Sequence, residues 1–308
     1  MGLGRSLLLA AAQSPRLNAF ALKSRVVRRA TRAFMPGEHM EDALQAGVAI
    51  AASGRALLYT RLGEALTEPH EALAVRDHYL GLFDAIQARG LPAQVSVKPT
   101  QLGIDLSITE CTAHCVALAD RAEATGSTLW LDMEDSPYVD RTLGLYAAIK
   151  SRHARAGIAL QAYLRRTPDD VQRLLPLSPV IRLVKGAYAE SPSVAFPAKR
   201  DTDAAYEAIA ATLLEAAAVG RCTPMFGTHD VPMLDRLRAR AAALDVRQGA
   251  YAIHMLFGIR EREQLRLRAA GESVATLVSY GEAWYRWYMR RLAERPANVW
   301  FVVRSFFG

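Results

Sequence analysis

The chain has 308 residues, 51% of them hydrophobic and 22% charged, with a net charge of +7. That balance excludes a disordered chain, and no run approaches the roughly 18 apolar residues that a bilayer span needs. The basic excess lies between Arg16 and Arg32 and around Arg286, Arg290 and Arg291. No zinc finger or aromatic–basic nucleic-acid signature accompanies it, so an anionic ligand or lipid surface is expected as partner rather than nucleic acid.

The N-terminus, Arg5 followed by Ser-Leu-Leu-Leu-Ala-Ala-Ala, has the look of a secretory leader. Its apolar run is short and the helical period continues past it, which favours a helix packed on the domain. Residues 1–50 read as two or three helices, broken at Pro36-Gly37 and resumed from Met40 to Ala52. Strand-like runs then alternate with helical patterns to the end of the chain. The strands are predicted at Ala56–Arg61, Gln94–Thr100, Thr128–Met133, Ile158–Leu164, Val180–Val184, Thr223–Thr228, Gly249–Met255 and Ser273–Val278. Helical periods between them include Glu68–Ala88, Thr109–Ala124, Val139–Ala154, Thr202–Val219 and Val231–Ala242.

Repeated strand–helix units over about 240 residues point to a closed parallel (β/α)₈ TIM-like barrel, with an open doubly wound sheet as the other arrangement. The expected organisation is an N-terminal helical segment, residues 1–54, and a barrel over residues 55–308.

Active sites of such barrels sit at the C-terminal ends of the strands, so polar residues should gather where each apolar run stops. They do. Val-Ser-Val runs into Lys98-Pro99-Thr100-Gln101, and Leu-Trp-Leu into Asp132-Met133-Glu134-Asp135. The fourth run carries Gln161, Tyr163 and Arg165; the fifth passes through Arg182 to Lys185-Gly186-Ala187-Tyr188; the sixth ends at Thr228-His229-Asp230. Asp132 or Glu134 alone also reads as an N-cap of the following helix. Arg182 lies inside an apolar run and requires either a buried carboxylate or an anionic ligand. Lys98 and Lys185, at strand ends, keep a Schiff-base lyase open as a second reaction class. The glycine after Lys185 suggests close approach of backbone to a bound group.

The histidines form no metal triad, and Cys111, His114 and Cys115 lie in a helical period with no second pair to complete four ligands. Cys111, Cys115 and Cys222 make no disulfide framework and suit a reducing compartment, the cytoplasm. There is no G-x-G-x-x-G after a strand and no Walker A sequence. From Glu282 a helical period runs to Pro296, with Arg290 and Glu294 on one face. Arg290-Arg291 forms a carboxylate clamp if that helix covers the barrel mouth, and a solvated pair if it does not.

Taken in order, Lys98 after Val-Ser-Val, Leu131 to Asp135, Gln161-Ala162-Tyr163, Ile181-Arg182-Leu183-Val184-Lys185-Gly186-Ala187-Tyr188, Thr228-His229-Asp230, Met255 to Arg260 and Tyr285 to Pro296 resemble proline dehydrogenase, in its short monofunctional bacterial form. The resemblance implies FAD on the strand ends and the last helix over the substrate. It implies Arg182 near flavin N5, with Met133, Gln161, Val184, Lys185, Gly186, Ala187, Thr228, His229 and Glu294 lining the cofactor. Lys98, Asp132, Tyr188, Leu256, Arg290 and Arg291 would surround the substrate, with Lys98 and Asp132 as a charge pair beside the flavin. The implied reaction converts L-proline to 1-pyrroline-5-carboxylate by hydride transfer to flavin N5, from a neutral nitrogen, so the rate should rise with pH. Asp132 and Arg182 are the expected catalytic pair, and a quinone the expected electron acceptor, met through peripheral contact of the basic ends with the inner membrane. Packed helices at the two ends are the alternative to that membrane contact, and the favoured one. One departure stands out. Where the family reads Arg-Val-Tyr-Val/Leu-Pro-Tyr-Gly, this chain has Ala275-Thr276-Leu277-Val278-Ser279-Tyr280-Gly281, so Leu277 replaces a tyrosine expected at the substrate. A ring-substituted or larger imino acid is then a further expected substrate.

Overall fold

The computed structural model describes residues 14, 21, 24, 27, 31–63, 66–285 and 287–289. Eight strands close into one barrel in chain order, every neighbouring pair parallel. They are β1 (Ala56–Arg61), β2 (Ala93–Val97), β3 (Leu129–Leu131), β4 (Gly157–Gln161), β5 (Val180–Val184), β6 (Thr223–Gly227), β7 (Ala252–Leu256) and β8 (Val274–Tyr280). The helices are α1 (Met40–Ala52), α2 (Pro69–Ala88), α3 (Ile108–Ala124), α4 (Val139–Lys150), α5 (Thr167–Leu174), α6 (Lys199–Ala218), α7 (Val231–Ala243) and α8 (Glu261–Ala269). The closed sheet settles the choice against an open doubly wound arrangement. Among the described residues no helix is long and apolar enough to cross a membrane.

The ends of these elements follow local chemistry. Ser107 caps α3 by accepting the Glu110 N–H at 3.2 Å, and Asp230 caps α7 by accepting that of Met233 at 3.4 Å. Proline at the first position starts α2, where no N–H is needed. The second, third and fourth strands stop earlier than their apolar runs suggest. In β2 the cause is visible: Pro99 has no N–H for a ladder, and Pro99–Leu102 folds into a 3₁₀ turn instead. That turn is pinned from α3, where His114 Nδ1 meets the Leu102 carbonyl at 3.2 Å and the Cys111 thiol donates to the Pro99 carbonyl at 3.7 Å. The Cys111–His114–Cys115 group therefore braces a loop.

Helix α1 packs on β8 and β1, covering the seam that closes the barrel. The chain after Tyr280 is thereby sent elsewhere. Trp284, Tyr285, Trp287 and Tyr288 are buried in a second apolar cluster with Phe34, Met35 and Leu62. Leu62 follows the last residue of β1, so this cluster lies at the C-terminal end of the strands, the active face of the fold. Trp284 Nε1 donates to Glu38 at 2.9 Å and ties the two segments together.

Candidate active site

Arg182 organises the barrel interior. It lies on β5, yet its Nη2 donates to Ser96 Oγ on β2 at 3.1 Å and forms an ion pair with Asp132, just beyond β3. Since β3 and β4 separate β5 from β2, these bonds cross the interior of the barrel. Ser96 also donates to Asp132 Oδ1 at 2.7 Å, which closes a triangle of three side chains. Arg182 is 4% exposed, and its Nη1 is buried with no hydrogen-bond partner among the described residues. The guanidinium thus needs a carboxylate and still holds one donor in reserve, in a setting where an unmade bond costs about 1–3 kcal/mol.

Below this triangle the barrel is closed by aromatic rings. The Arg182 guanidinium lies 5.3 Å from the Trp130 ring centroid, and the indole N–H donates to Gln94 at 2.6 Å. His254 of β7 meets Trp130 edge-on at 5.7 Å. A Cβ at Gly157 would lie 2.5 Å from Trp130 Cε3, so glycine on β4 is what admits the indole. Burial, and then the Arg182 charge, push the His254 imidazole down to about 3, so it is neutral at physiological pH.

This has a consequence for stability. The unfolded chain protonates His254 near its ordinary value of 6.5, while the folded chain resists protonation until about 3. Between those values the unfolded state binds more protons, so stability falls as pH falls, by up to about 1.4 kcal/mol per pH unit for this one group. Thermal unfolding measured from pH 7 to pH 5 should show the loss, and His254→Gln should flatten it. An unchanged slope in the variant would remove His254 from the account.

Above the triangle, the strand ends are tied to one another. Glu134 is buried and its carboxylate accepts both the N–H of Thr100 at 3.0 Å and its hydroxyl at 2.6 Å. Gln161, at the end of β4, donates to the Glu134 carbonyl at 2.8 Å. Asp132 and Glu134 therefore serve the mouth of the barrel, and among the described residues neither caps the helix that follows them. Gln101 donates to the carbonyls of Arg61 at 2.9 Å and Gly63 at 2.8 Å, and accepts the Lys98 N–H at 3.4 Å, which sets the β1 end against the buried Lys98. Across the mouth, His229 Nε2 accepts the Leu256 N–H at 2.9 Å, and Thr228 is buried beside it.

Lys185 turns to other partners. Its ammonium donates to Asp203 of α6 at 2.5 Å and to Asp230 at 2.9 Å. Burial raises these two carboxyls, but the bonds and charge of Lys185 and Lys199 outweigh it and hold both below the usual range. An ammonium clasped by two carboxylates is a poor nucleophile, which speaks against a Schiff base on Lys185. At Gly186 (φ 112°) a Cβ would fall 2.1 Å from Tyr163 Cδ1, so the close approach expected there from a bound group is made within the protein by the Tyr163 ring. Val184, Ala187 and Tyr188 continue this strand end, half-buried, and Met133 is buried beyond β3. Arg290, Arg291 and Glu294 lie outside the described residues.

The structure thus brings Asp132, Glu134, Arg182, Lys98, Gln161, Thr228, His229 and Leu256 to one end of one barrel, and adds Ser96, Trp130 and His254. Ser96 had a signal in sequence, as the polar residue inside Val-Ser-Val. Trp130 and His254 had none beyond their strand assignment.

A family profile described as proline dehydrogenase matches residues 43–304. Proline dehydrogenase 1 of Bacillus subtilis (strain 168) is 33% identical over 301 residues, 98% of each chain. Proline dehydrogenase of Deinococcus radiodurans is 33% identical over 310 residues, 98% of this chain and 97% of that one. Among solved structures, proline utilization A (PutA) from Bdellovibrio bacteriovorus, inactivated by N-propargylglycine, superposes with a TM-score of 0.80 at 21% identity, over 94% of this chain and 37% of that one. That last likeness concerns the fold, and this chain spans little more than a third of PutA. With the near-full-length relatives and the profile in agreement, the chain belongs to the proline dehydrogenase family of flavin-dependent oxidoreductases.

Proposed function

We propose that this chain oxidises L-proline to 1-pyrroline-5-carboxylate with FAD held over the C-terminal ends of the strands. The observation that carries the reading is the half-committed Arg182, a buried guanidinium with one donor still to be satisfied above an aromatic floor. Such a donor fits an electron-rich ring nitrogen that gains negative charge as it is reduced. When bound, FAD supplies the hydride acceptor at flavin N5.

The chain's own residues do the rest. Asp132 and Ser96 hold Arg182 in a single orientation. Gln161, Thr228 and His229, together with the backbone from Val184 through Lys185 and Gly186 to Ala187, bound the cofactor side, with Met133 and Glu294. Lys98, Tyr188 and Leu256 bound the substrate side. Arg290 and Arg291 are assigned the carboxylate, a planar group that a paired guanidinium clamp recognises. The segment leading to them packs against Leu62 at the mouth, which supports the assignment. The substrate nitrogen is neutral when hydride leaves, so kcat/KM rises with pH. A quinone as acceptor, residues 1–54 as a separate helical segment, and a cytoplasmic protein touching the inner membrane through its basic ends complete the reading. Extraction of the purified holoenzyme tests the cofactor: FAD released in about equimolar amount supports it, and a protein that carries no flavin contradicts it.

Leu277 adds a specificity. Thr276 points outward to Gln264 of α8, so Leu277 points inward, level with Leu58 and Leu256 on the flanking strands. It is the one residue of β8 that is not buried, and a leucine in place of the family's tyrosine ring leaves more space on the inner side at that level. We propose that this space accepts a ring-substituted proline or a larger imino acid. In Leu277→Tyr the added ring fills it, and kcat/KM for ring-substituted analogues relative to proline should fall by about tenfold or more. An unaltered ratio would defeat the proposal.

A further inference from the structure

Gln264 of α8 is wholly buried behind the barrel wall, and its amide is committed on both sides. Its Oε1 accepts from Thr276 Oγ1 at 2.6 Å and from Arg55 Nη1 at 3.0 Å. With two donors on that oxygen the amide has only one sensible orientation, which aims Nε2 the other way. There it donates to the carbonyls of Leu256 at 3.0 Å and Ile259 at 2.9 Å. Arg55 is itself anchored, by Glu261 at 2.6 Å and Ser53 at 2.7 Å.

Those two carbonyls belong to the turn that follows β7 at the mouth. Leu256 ends β7, Phe257 donates its N–H to the Leu277 carbonyl at 2.9 Å, and Arg260 takes a φ of 52°, unfavourable for a residue with a side chain. The Leu256 N–H is the donor to His229 Nε2. An imidazole nitrogen accepts only when it carries no proton, so this amide fixes both the orientation and the tautomer of His229.

We propose that Gln264 is a positioning residue for the oxidation: by holding the Leu256 and Ile259 carbonyls it sets Leu256 against the substrate and, through the Leu256 amide, His229 against the cofactor. The inference rests on the functional reading above for what those two residues face. Without the Nε2 donor, the half-buried Ile259 carbonyl loses this partner, the Leu256 carbonyl keeps only the Ile259 N–H at 3.3 Å, and the turn loses its tie to α8. The site then loosens at its β7 edge, although nothing that touches the substrate has changed.

The test compares Gln264→Glu and Gln264→Met with Thr276→Val, in the flavin-loaded full-length protein. Gln264→Glu keeps an acceptor for Arg55 and Thr276 but sets an oxygen against the two carbonyls; Thr276→Val weakens the network on its outer side only. Both Gln264 variants should raise KM for proline by about 10-fold to 100-fold, with kcat changed less. Thr276→Val should lower Tm while KM stays within about twofold. Wild-type KM in folded Gln264 variants, or an equal rise in Thr276→Val, overturns the inference and leaves the functional reading intact. Should neither Gln264 variant fold, amide exchange in the wild-type protein decides: Leu256 and Phe257 should be as protected as the barrel strands, and fast exchange there overturns it. A flavin-loaded wild-type protein that does not oxidise proline or any imino acid overturns the functional reading and this inference with it.

Discussion

Arg182→Met should lower kcat/KM for proline by about 10²–10³-fold, the loss expected when one preorganised donor to developing negative charge is removed. Methionine keeps an apolar chain of similar reach over the Trp130 ring, so the floor of the site stays filled. What disappears is the fork. One arm is bonded to Asp132 and Ser96, and the other is buried without a partner among the described residues. Arg182→Lys separates charge from geometry: a single ammonium restores a cation near Asp132 but cannot serve both directions at once. It should recover stability better than activity. Steady-state kinetics with Tm measured on the same samples gives both numbers, and near wild-type kcat/KM in a folded, flavin-loaded Arg182→Met would refute the role assigned to this side chain.

Asp132→Ala should be the most destabilising single change at the site, by about 3–5 kcal/mol, because it leaves a guanidinium buried without its counter-charge. Arg182 is 4% exposed, so water cannot substitute for the missing carboxylate. Ser96→Ala strands no charge but removes two bonds to charged groups, one to Asp132 and one from Arg182, and should cost less, about 1.5–3 kcal/mol. The pair is best tested as a cycle. In Arg182→Met, Asp132→Ala should cost much less than in the wild-type protein, since the charge it would strand is gone. Denaturant unfolding of the four proteins measures the coupling, and strictly additive losses would mean that the ion pair does not hold the site.

How much of this was legible beforehand depended on whether an interaction was local. The limits of β1 and β5 follow from apolar runs bounded by polar residues, and they match residue for residue. β2 ends early because Pro99 removes a donor, a local fact whose consequence, the 3₁₀ turn, was not anticipated. The site divides the same way. Strand-end placement gathered Lys98, Asp132, Gln161, Thr228 and His229, and the cost of a bare guanidinium in an apolar run singled out Arg182. That cost demanded a partner without naming one. Asp132 became the partner only through the closed barrel, which brings β3 and β5 within reach across the interior. Lys185 shows the opposite case: Asp203 is the fifth residue of the following helix, outside every strand-end string, and Asp230, although in one, meets this ammonium only because the sheet sets β6 beside β5. His254 and Trp130 were hidden because an inward and an outward position look alike in a strand buried on both faces.

The central claim is tested most directly by adding L-proline to the purified holoenzyme without oxygen and following the flavin absorbance. The account predicts that the yellow band bleaches as proline is added, and that the bleaching slows by about 10²–10³-fold in Arg182→Met. A flavin-loaded protein whose spectrum does not change with saturating proline or with a ring-substituted analogue would contradict it.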